Sequence, residues 1–180
     1  MRYSERDHEK RIGYLRTLRQ VVKDKGSESI VYLDESGFER TTHRAHGWGL
    51  RGKKVYGERS GKKRPRTSLI SARQGKRLLA PILFEGSTNA TLFNYWLKNH
   101  LFAELAQGST IIMDNATFHK TAATKRIIEQ AGHSLLFLPP YSPDFNPIEE
   151  DFAIMKRRRQ FLPANTTIDE VVRSYVNYLE

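Results

Sequence analysis

Three acidic residues stand where a folded chain could bring them together. Asp34 closes the β-rich run Ser29-Ile30-Val31-Tyr32-Leu33, Asp114 closes Thr110-Ile111-Ile112-Met113, and Glu149 opens a helix in NPIEE. In a sheet with helical crossovers, residues at strand ends face a shared crevice, which is the default position for a site. Convergent carboxylates without cysteine suit hard, oxygen-seeking cations, with Mg²⁺ the natural choice and Mn²⁺ able to substitute. Two such ions about 3.5–4 Å apart would activate an attacking oxygen and stabilise a leaving one in phosphodiester transfer. Each acid also has a plainer reading. Asp34 and Asp114 are residues of the turn-forming kind, and Glu149 could reach back to cap a helix whose N-cap is Asn146 and whose first residue is Pro147. The two readings of Glu149 compete for the same oxygens. Glu35 and Glu150 rank behind their neighbours as ligands, because adjacent side chains leave opposite faces of a strand and diverge by about 100° on a helix. His119 either contacts DNA or tunes the metal site, or is a helix-start histidine satisfied by local hydrogen bonds.

The elements that must position these acids follow from periodicity and punctuation. Ile12, Leu15, Leu18, Val21 and Val22 recur at helical spacing over residues 5–25. The Ile30 run reads as a buried strand ending at its acids. Residues 67–72 and 78–84 flank a turn at Arg73-Gln74-Gly75-Lys76 and read as a hairpin, with Pro81 implying that its strand lies at an edge or starts late. Asn89 and its neighbours cap a helix over about 90–106, and a strand follows at 110–114. A helix over about 119–130, closed by Gly132, leads to a strand at 133–138 stopped by Pro139-Pro140. A helix begins near Asn146, and a last one near Thr167, where Glu170 is positioned to complete a capping box. Early strands joined by a hairpin, then strands alternating with helices, predict an α/β fold: a mixed sheet flanked by helices.

Composition narrows the partners. The 180 residues hold no cysteine and carry a net charge of +10, which excludes a disulfide framework and thiolate metal sites. No apolar run reaches the roughly 20 residues of a membrane helix, and the N-terminus lacks a secretory pattern. A basic intracellular domain, without a membrane partner, is expected. The charge is concentrated: residues 40–77 carry 13 basic side chains against Glu58 alone, whereas residues 78–180 carry 9 against 11 acidic ones. Arg51, Lys53, Lys54, Lys62, Lys63, Arg64 and Arg66 are interleaved with Trp48, Tyr56 and glycines. Such a segment can neutralise phosphates and follow a groove, so these residues are the expected nucleic-acid contacts; the plainer reading is a solvated loop.

LDESGF, MDNATFH and LPPYSPDFNPIEE, in that order, resemble the catalytic domain of DDE-type transposases, in the mariner-like branch shared with bacterial insertion sequences. Asp114 and Glu149 have 34 residues between them, which fits that branch. The resemblance implies a ribonuclease-H-like fold over residues 30–160, with Asp34, Asp114 and Glu149 as catalytic metal ligands and Asn115 and His119 in support. It implies Mg²⁺-dependent endonuclease cleavage at transposon ends, then attack of the freed 3′-hydroxyl on target DNA. Residues 40–66 occupy the place of a clamp used in a homodimer, so they are expected to contact DNA, a second subunit, or both. Residues 1–29 would be a linker helix and 161–180 a C-terminal helix. Full-length members carry helix-turn-helix modules ahead of the catalytic domain, and only one helix precedes the first strand here. A separate helix-turn-helix half, or a remnant that binds DNA or dimerises without catalysis, is the alternative to a self-sufficient enzyme. A ribonuclease-H-like nuclease for RNA–DNA hybrids or branched DNA is a third reading. The family context implies a bacterial, cytoplasmic, nucleoid-associated protein.

Overall fold

The computed structural model describes residues 7–39, 48–56, 66–163 and 165–179. The chain opens with helix α1, His8–Lys25, whose N-cap Asp7 accepts from the Lys10 amide at 3.1 Å. Gly26, at φ 84°, ends it in a conformation that disfavours any side chain. Three strands follow: β1 (Ile30–Glu39), β2 (Arg66–Gln74) and β3 (Arg77–Glu85). Strands β2 and β3 form the expected hairpin, turning through Gly75 at φ 59°.

A helical rod comes next: α2 (Ala90–Trp96), a π-helical segment at Leu97–Leu101, and α3 (Phe102–Glu104). Strand β4 (Thr110–Met113), helix α4 (Ala122–Gln130) and strand β5 (Ser134–Phe137) complete the alternation. Helices α5 (Ile148–Arg159) and α6 (Ile168–Leu179) close the described chain. The sheet order is β3-β2-β1-β4-β5, antiparallel between the first three strands and parallel among β1, β4 and β5.

Alternation along the strands supplies both faces of this sheet with apolar side chains. Val31, Leu33, Ile70, Ala72, Ile111 and Met113 pack with Phe93, Trp96, Leu97 and Ile128 of the α2–α4 layer. Phe38 and Leu69 pack on the other face with Ile148, Phe152, Val171 and Tyr175 of α5 and α6. Tyr14 of α1 joins Ile30, Ile112 and Leu138 on that same side of the sheet.

Pro81 lies on an edge strand, as expected, and the register shift there has a clear cause. The pairing slips between Ile70 and Ala72, with Ala80 at φ 46°. Three bonds hold this bulge: Ser71 Oγ donates to Leu79 O at 2.8 Å, the Ala80 amide to Glu104 Oε1 at 3.1 Å, and Trp96 Nε1 to Ala80 O at 2.8 Å.

Several expected boundaries differ. Strand β1 does not stop at Asp34 but runs to Glu39, because β2 pairs with it along its whole second half. Helix α4 starts at Ala122, capped by Thr121, which accepts from the Thr124 amide, so His119 lies in the turn before it. Helix α5 starts at Ile148, and no side chain caps it. Asn146 is therefore not its side-chain cap, and Glu149 is not the return member of a capping box. The box expected at Thr167 and Glu170 is present, with Thr167 N donating to Glu170 Oε2 at 2.7 Å and Glu170 N to Thr167 Oγ1 at 3.2 Å. Among the described residues, no helix is long and apolar enough to cross a membrane.

Candidate active site

Strand β1 is the hinge of the site. It pairs with β4 only through Ile30, Val31 and Tyr32, and beyond Tyr32 its partner on that side turns away. Asp34 lies just past this divergence, and Asp114 follows directly on Met113 at the end of β4. Helix α5 packs across the same end of β1 and carries Glu149 in its first turn. Asp34, Asp114 and Glu149 line one cavity of about 570 Å³, together with Asn115, Asn146 and the Pro139–Pro143 loop.

The three acids differ in their surroundings. Asp34 accepts from the Glu35 amide at 2.7 Å and from Asn146 Nδ2 at 3.2 Å. Burial, then repulsion from Glu35, Asp114 and Glu149, pushes its carboxyl up to about 7. Burial also raises Asp114, but the His119 hydrogen bond and the Ala116 amide outweigh it and hold that carboxyl below its usual value. Glu149 is raised by burial and by Asp114, with Lys156 opposing. Lys156 stands further along α5 with its ammonium 5.6 Å from the Phe38 ring centroid. Burial and Arg66 depress its pKa while Asp34 and Glu149 raise it.

His119 is buried and bridges two acids. Its Nδ1 lies 2.7 Å from Asp114 Oδ1 and its Nε2 lies 3.1 Å from Glu35 Oε1. Burial favours the neutral ring, yet the bonds to Asp114 and Glu35 prevail and carry its pKa up to about 9. At neutral pH both nitrogens therefore donate. Phe93 and Phe118 hold the ring, with centroids 4.4 and 4.3 Å away. Strand alternation sends Glu35 to this α2–α4 face while Asp34 faces Asn146 on the other. Glu150 is exposed. Asn115 donates from Nδ2 to Leu138 O, fixing the β4 and β5 exits to one another.

The proline-rich loop is held from α1. Arg11 donates to Ser142 Oγ at 2.7 Å and to both Asp144 oxygens at 3.1 and 2.7 Å, with its guanidinium 4.0 Å above the Phe145 ring. Tyr14 stacks on Phe145 at 5.4 Å. Sequence reading missed this loop anchor, the role of Asn146, and the Glu35–His119 bond. The partners lie more than 80 positions apart in each case, and no local pattern joins them.

Of the expected DNA contacts, Arg51, Lys53 and Lys54 are exposed beside the exposed Trp48 and Tyr56. Arg66 opens β2 opposite Glu39, its guanidinium lying where a side chain on Gly37 would stand. Lys62, Lys63 and Arg64 fall outside the described residues.

Among the described residues, no group of three or more His, Cys, Asp and Glu side chains is gathered tightly enough to hold a metal ion. The acids share a cavity without forming a closed shell. That openness suits Mg²⁺, which takes one or two carboxylates and fills its octahedron with water and substrate phosphate oxygens. The donors are all hard oxygens, and burial, with repulsion among them added, raises Asp34. The buried Asn146 Oδ1 also has no hydrogen-bond partner. On these grounds the residues fit a divalent cation.

The sequence profile of the DDE superfamily endonucleases matches residues 29–170. Comparison with curated proteins finds no match. Among solved structures, the chain is similar to the Mos1 transposase paired-end complex with left transposon end, at TM-score 0.74 and 19% identity over 99% of this chain and 61% of that one. The Mos1 strand transfer complex gives 0.73 and 19%, covering 95% and 53%. The catalytic domain of Mos1 mariner transposase gives 0.67 and 18%, covering 99% and 83%. Further Mos1 paired-end complexes are described with Mn and with Mg. The chain thus spans 61% and 53% of the first two relatives. The mixed five-stranded sheet flanked by helices is the ribonuclease-H-like fold that the motifs imply.

Proposed function

Because the chain belongs to the DDE superfamily endonucleases, we propose that it is the catalytic domain of a transposase that cleaves DNA at transposon ends and joins the freed 3′-hydroxyl to target DNA. The observation that carries this reading is the single cavity lined by Asp34, Asp114 and Glu149. Mg²⁺, or Mn²⁺ in its place, would be held by these three acids and would supply activation of the attacking oxygen and charge stabilisation at the leaving one.

The chain's own residues set up the acids for this. His119 fixes Asp114 through Nδ1 and is itself held by Glu35. The Ala116 amide also donates to Asp114 Oδ1 at 2.9 Å, so Oδ2 is the oxygen that Asp114 would offer to a cation. Asn146 orients Asp34, and Asn115 ties the β4 exit to Leu138. Hydrolysis of the first phosphodiester leaves a 3′-hydroxyl and a 5′-phosphate. Attack of that hydroxyl on a target phosphodiester makes one P–O bond and breaks another, expelling the target strand's 3′-oxygen, so no outside energy source is required.

The basic residues Arg51, Lys53, Lys54, Lys62, Lys63, Arg64 and Arg66 bind the DNA backbone. Residues 40–66 contribute to a homodimer in the active complex, and a helix-turn-helix half supplies recognition of the transposon ends. The working organisation is a 30–160 catalytic unit with helices at 1–29 and 161–180, acting at the nucleoid of a bacterial cytoplasm.

The test is incubation of the purified chain with supercoiled plasmid and Mg²⁺ or Mn²⁺, beside Asp114→Asn. Nicking by the wild type alone is expected. Equal nicking by both proteins would remove Asp114 from the site, and no nicking by either, with recognition modules supplied, would sink the enzymatic reading.

A further inference from the structure

Asn146 is 3% exposed and has one satisfied and one orphaned end. Its Nδ2 donates to Asp34 Oδ2 at 3.2 Å, while its Oδ1 is buried with no hydrogen-bond partner. A buried carbonyl oxygen without a donor is costly, and native structures fill such positions with water or an ion. Tyr14 Oη, Thr110 Oγ1 and His133 Nδ1 are the other buried side-chain atoms without partners among the described residues, and none of those residues lines the cavity of the three acids. Asn146 does line it.

Its backbone ties it to the third acid as well, because Asn146 O accepts from the Glu149 amide at 3.2 Å. One residue thus touches Asp34 through its side chain and the first turn of α5 through its main chain. An amide oxygen is a neutral hard donor of the type that Mg²⁺, Mn²⁺ and Ca²⁺ accept alongside carboxylates.

We propose that Asn146 Oδ1 is a further ligand oxygen for the divalent cation held by Asp34 and Glu149, while Nδ2 of the same amide orients the Asp34 carboxylate. The proposal rests on the metal-dependent reading of the cavity. The amide adds a donor without adding to the repulsion that already burdens Asp34. It also accounts for the lack of a side-chain cap on α5, since the Asn146 amide is engaged with Asp34 instead.

Mn²⁺ binding to the full chain, monitored through the loss of the free-ion electron paramagnetic resonance signal, tests this without reference to turnover. Asn146→Ala should weaken Mn²⁺ binding about 10-fold or more, the range seen when a residue that supports a metal site is removed. Asn146→Asp keeps an oxygen but loses the donor to Asp34, and it should bind Mn²⁺ at least as tightly as wild type. Equal weakening in both variants would mean that only the N–H bond to Asp34 matters, and unchanged binding in Asn146→Ala would mean that neither end does; either result overturns the proposal. Wild-type protein labelled with ¹³C-asparagine needs no substitution. Its Mn²⁺ electron–nuclear double resonance spectrum should show a ¹³C coupling that vanishes in labelled Asn146→Asp, and its absence from the wild type overturns direct ligation. A wild type that binds no Mn²⁺ at all would overturn the metal-dependent reading itself, an outcome distinct from the others.

Discussion

Burial and three neighbouring carboxylates raise Asp34 to about 7 from the 3.8 of an unfolded chain. Between those values the folded state binds more protons than the unfolded one, so the metal-free protein loses stability as pH rises from about 4 to about 7. The loss is on the order of 2–4 kcal/mol, from a shift of about three units at about 1.4 kcal/mol each, less what partial exposure removes. Asp34→Asn abolishes this penalty. Thermal melts of metal-free protein should show it more stable than wild type at pH 8 and little different at pH 4.5, and Mg²⁺ should stabilise the wild type but not the variant. Equal melting at pH 8 would mean that Asp34 is not strained by its neighbours. His119 titrates over a different window. Its folded pKa, about 9, lies above the unfolded 6.5, so its contribution is complete below pH 6.5 and is lost as pH rises through 9. Glu35→Gln keeps a partner for Nε2 but removes its charge, and should lower the His119 pKa by about 1 unit. Histidine ring resonances in an NMR titration would show this; an unmoved His119 would place the whole effect on Asp114.

At the scale of elements, the placement of Glu149 depends on how the first turn of α5 is fixed to the sheet. Arg73, on β2, donates from Nη1 to Pro147 O at 3.0 Å and to Asp151 Oδ2 at 2.9 Å. Tyr175, on α6, donates to the other Asp151 oxygen at 2.5 Å. Burial and Asp151 push the Tyr175 phenol well above its usual pKa, so it remains a donor throughout. The bonded residues bracket Glu149 on both sides. Asp151 is almost fully buried, and removing its cation leaves an uncompensated charge. Arg73→Met should therefore cost about 2–4 kcal/mol, and Tyr175→Phe about 1–2 kcal/mol. Urea unfolding measures both, and a loss below about 0.5 kcal/mol in Arg73→Met would show that the pair is dispensable to α5.

At the scale of the molecule, the parts readable in the sequence were those encoded locally. Pro81 announced an edge strand, Thr167 and Glu170 a capping box, and three motifs the order in which acids reach the cavity. The length of β1 was not readable, because Asp34 and Glu35 look like a strand end until β2 pairs across them. Nor was the division of labour between those two acids, which depends on His119 lying 84 positions from Glu35. The basic segment raises the same issue for binding: its composition shows the charge but not its use. Arg51, Lys53, Lys54 and Arg66 are exposed, as they would also be in a merely solvated segment. Salt dependence separates the two readings. Every phosphate that the protein ceases to neutralise reduces the slope of log K against log[salt] by about 0.9. If Arg51, Lys53 and Lys54 each neutralise one phosphate, replacing all three by glutamine should flatten the slope by roughly 2.7. The melting temperature should hardly change, since exposed charges contribute little to stability. Fluorescence anisotropy with a short duplex, over a range of KCl concentrations, measures the slope directly. A weaker affinity with an unchanged slope would mean that these residues shape the loop rather than meet the phosphates, and an unchanged affinity would assign DNA binding to other parts of the chain.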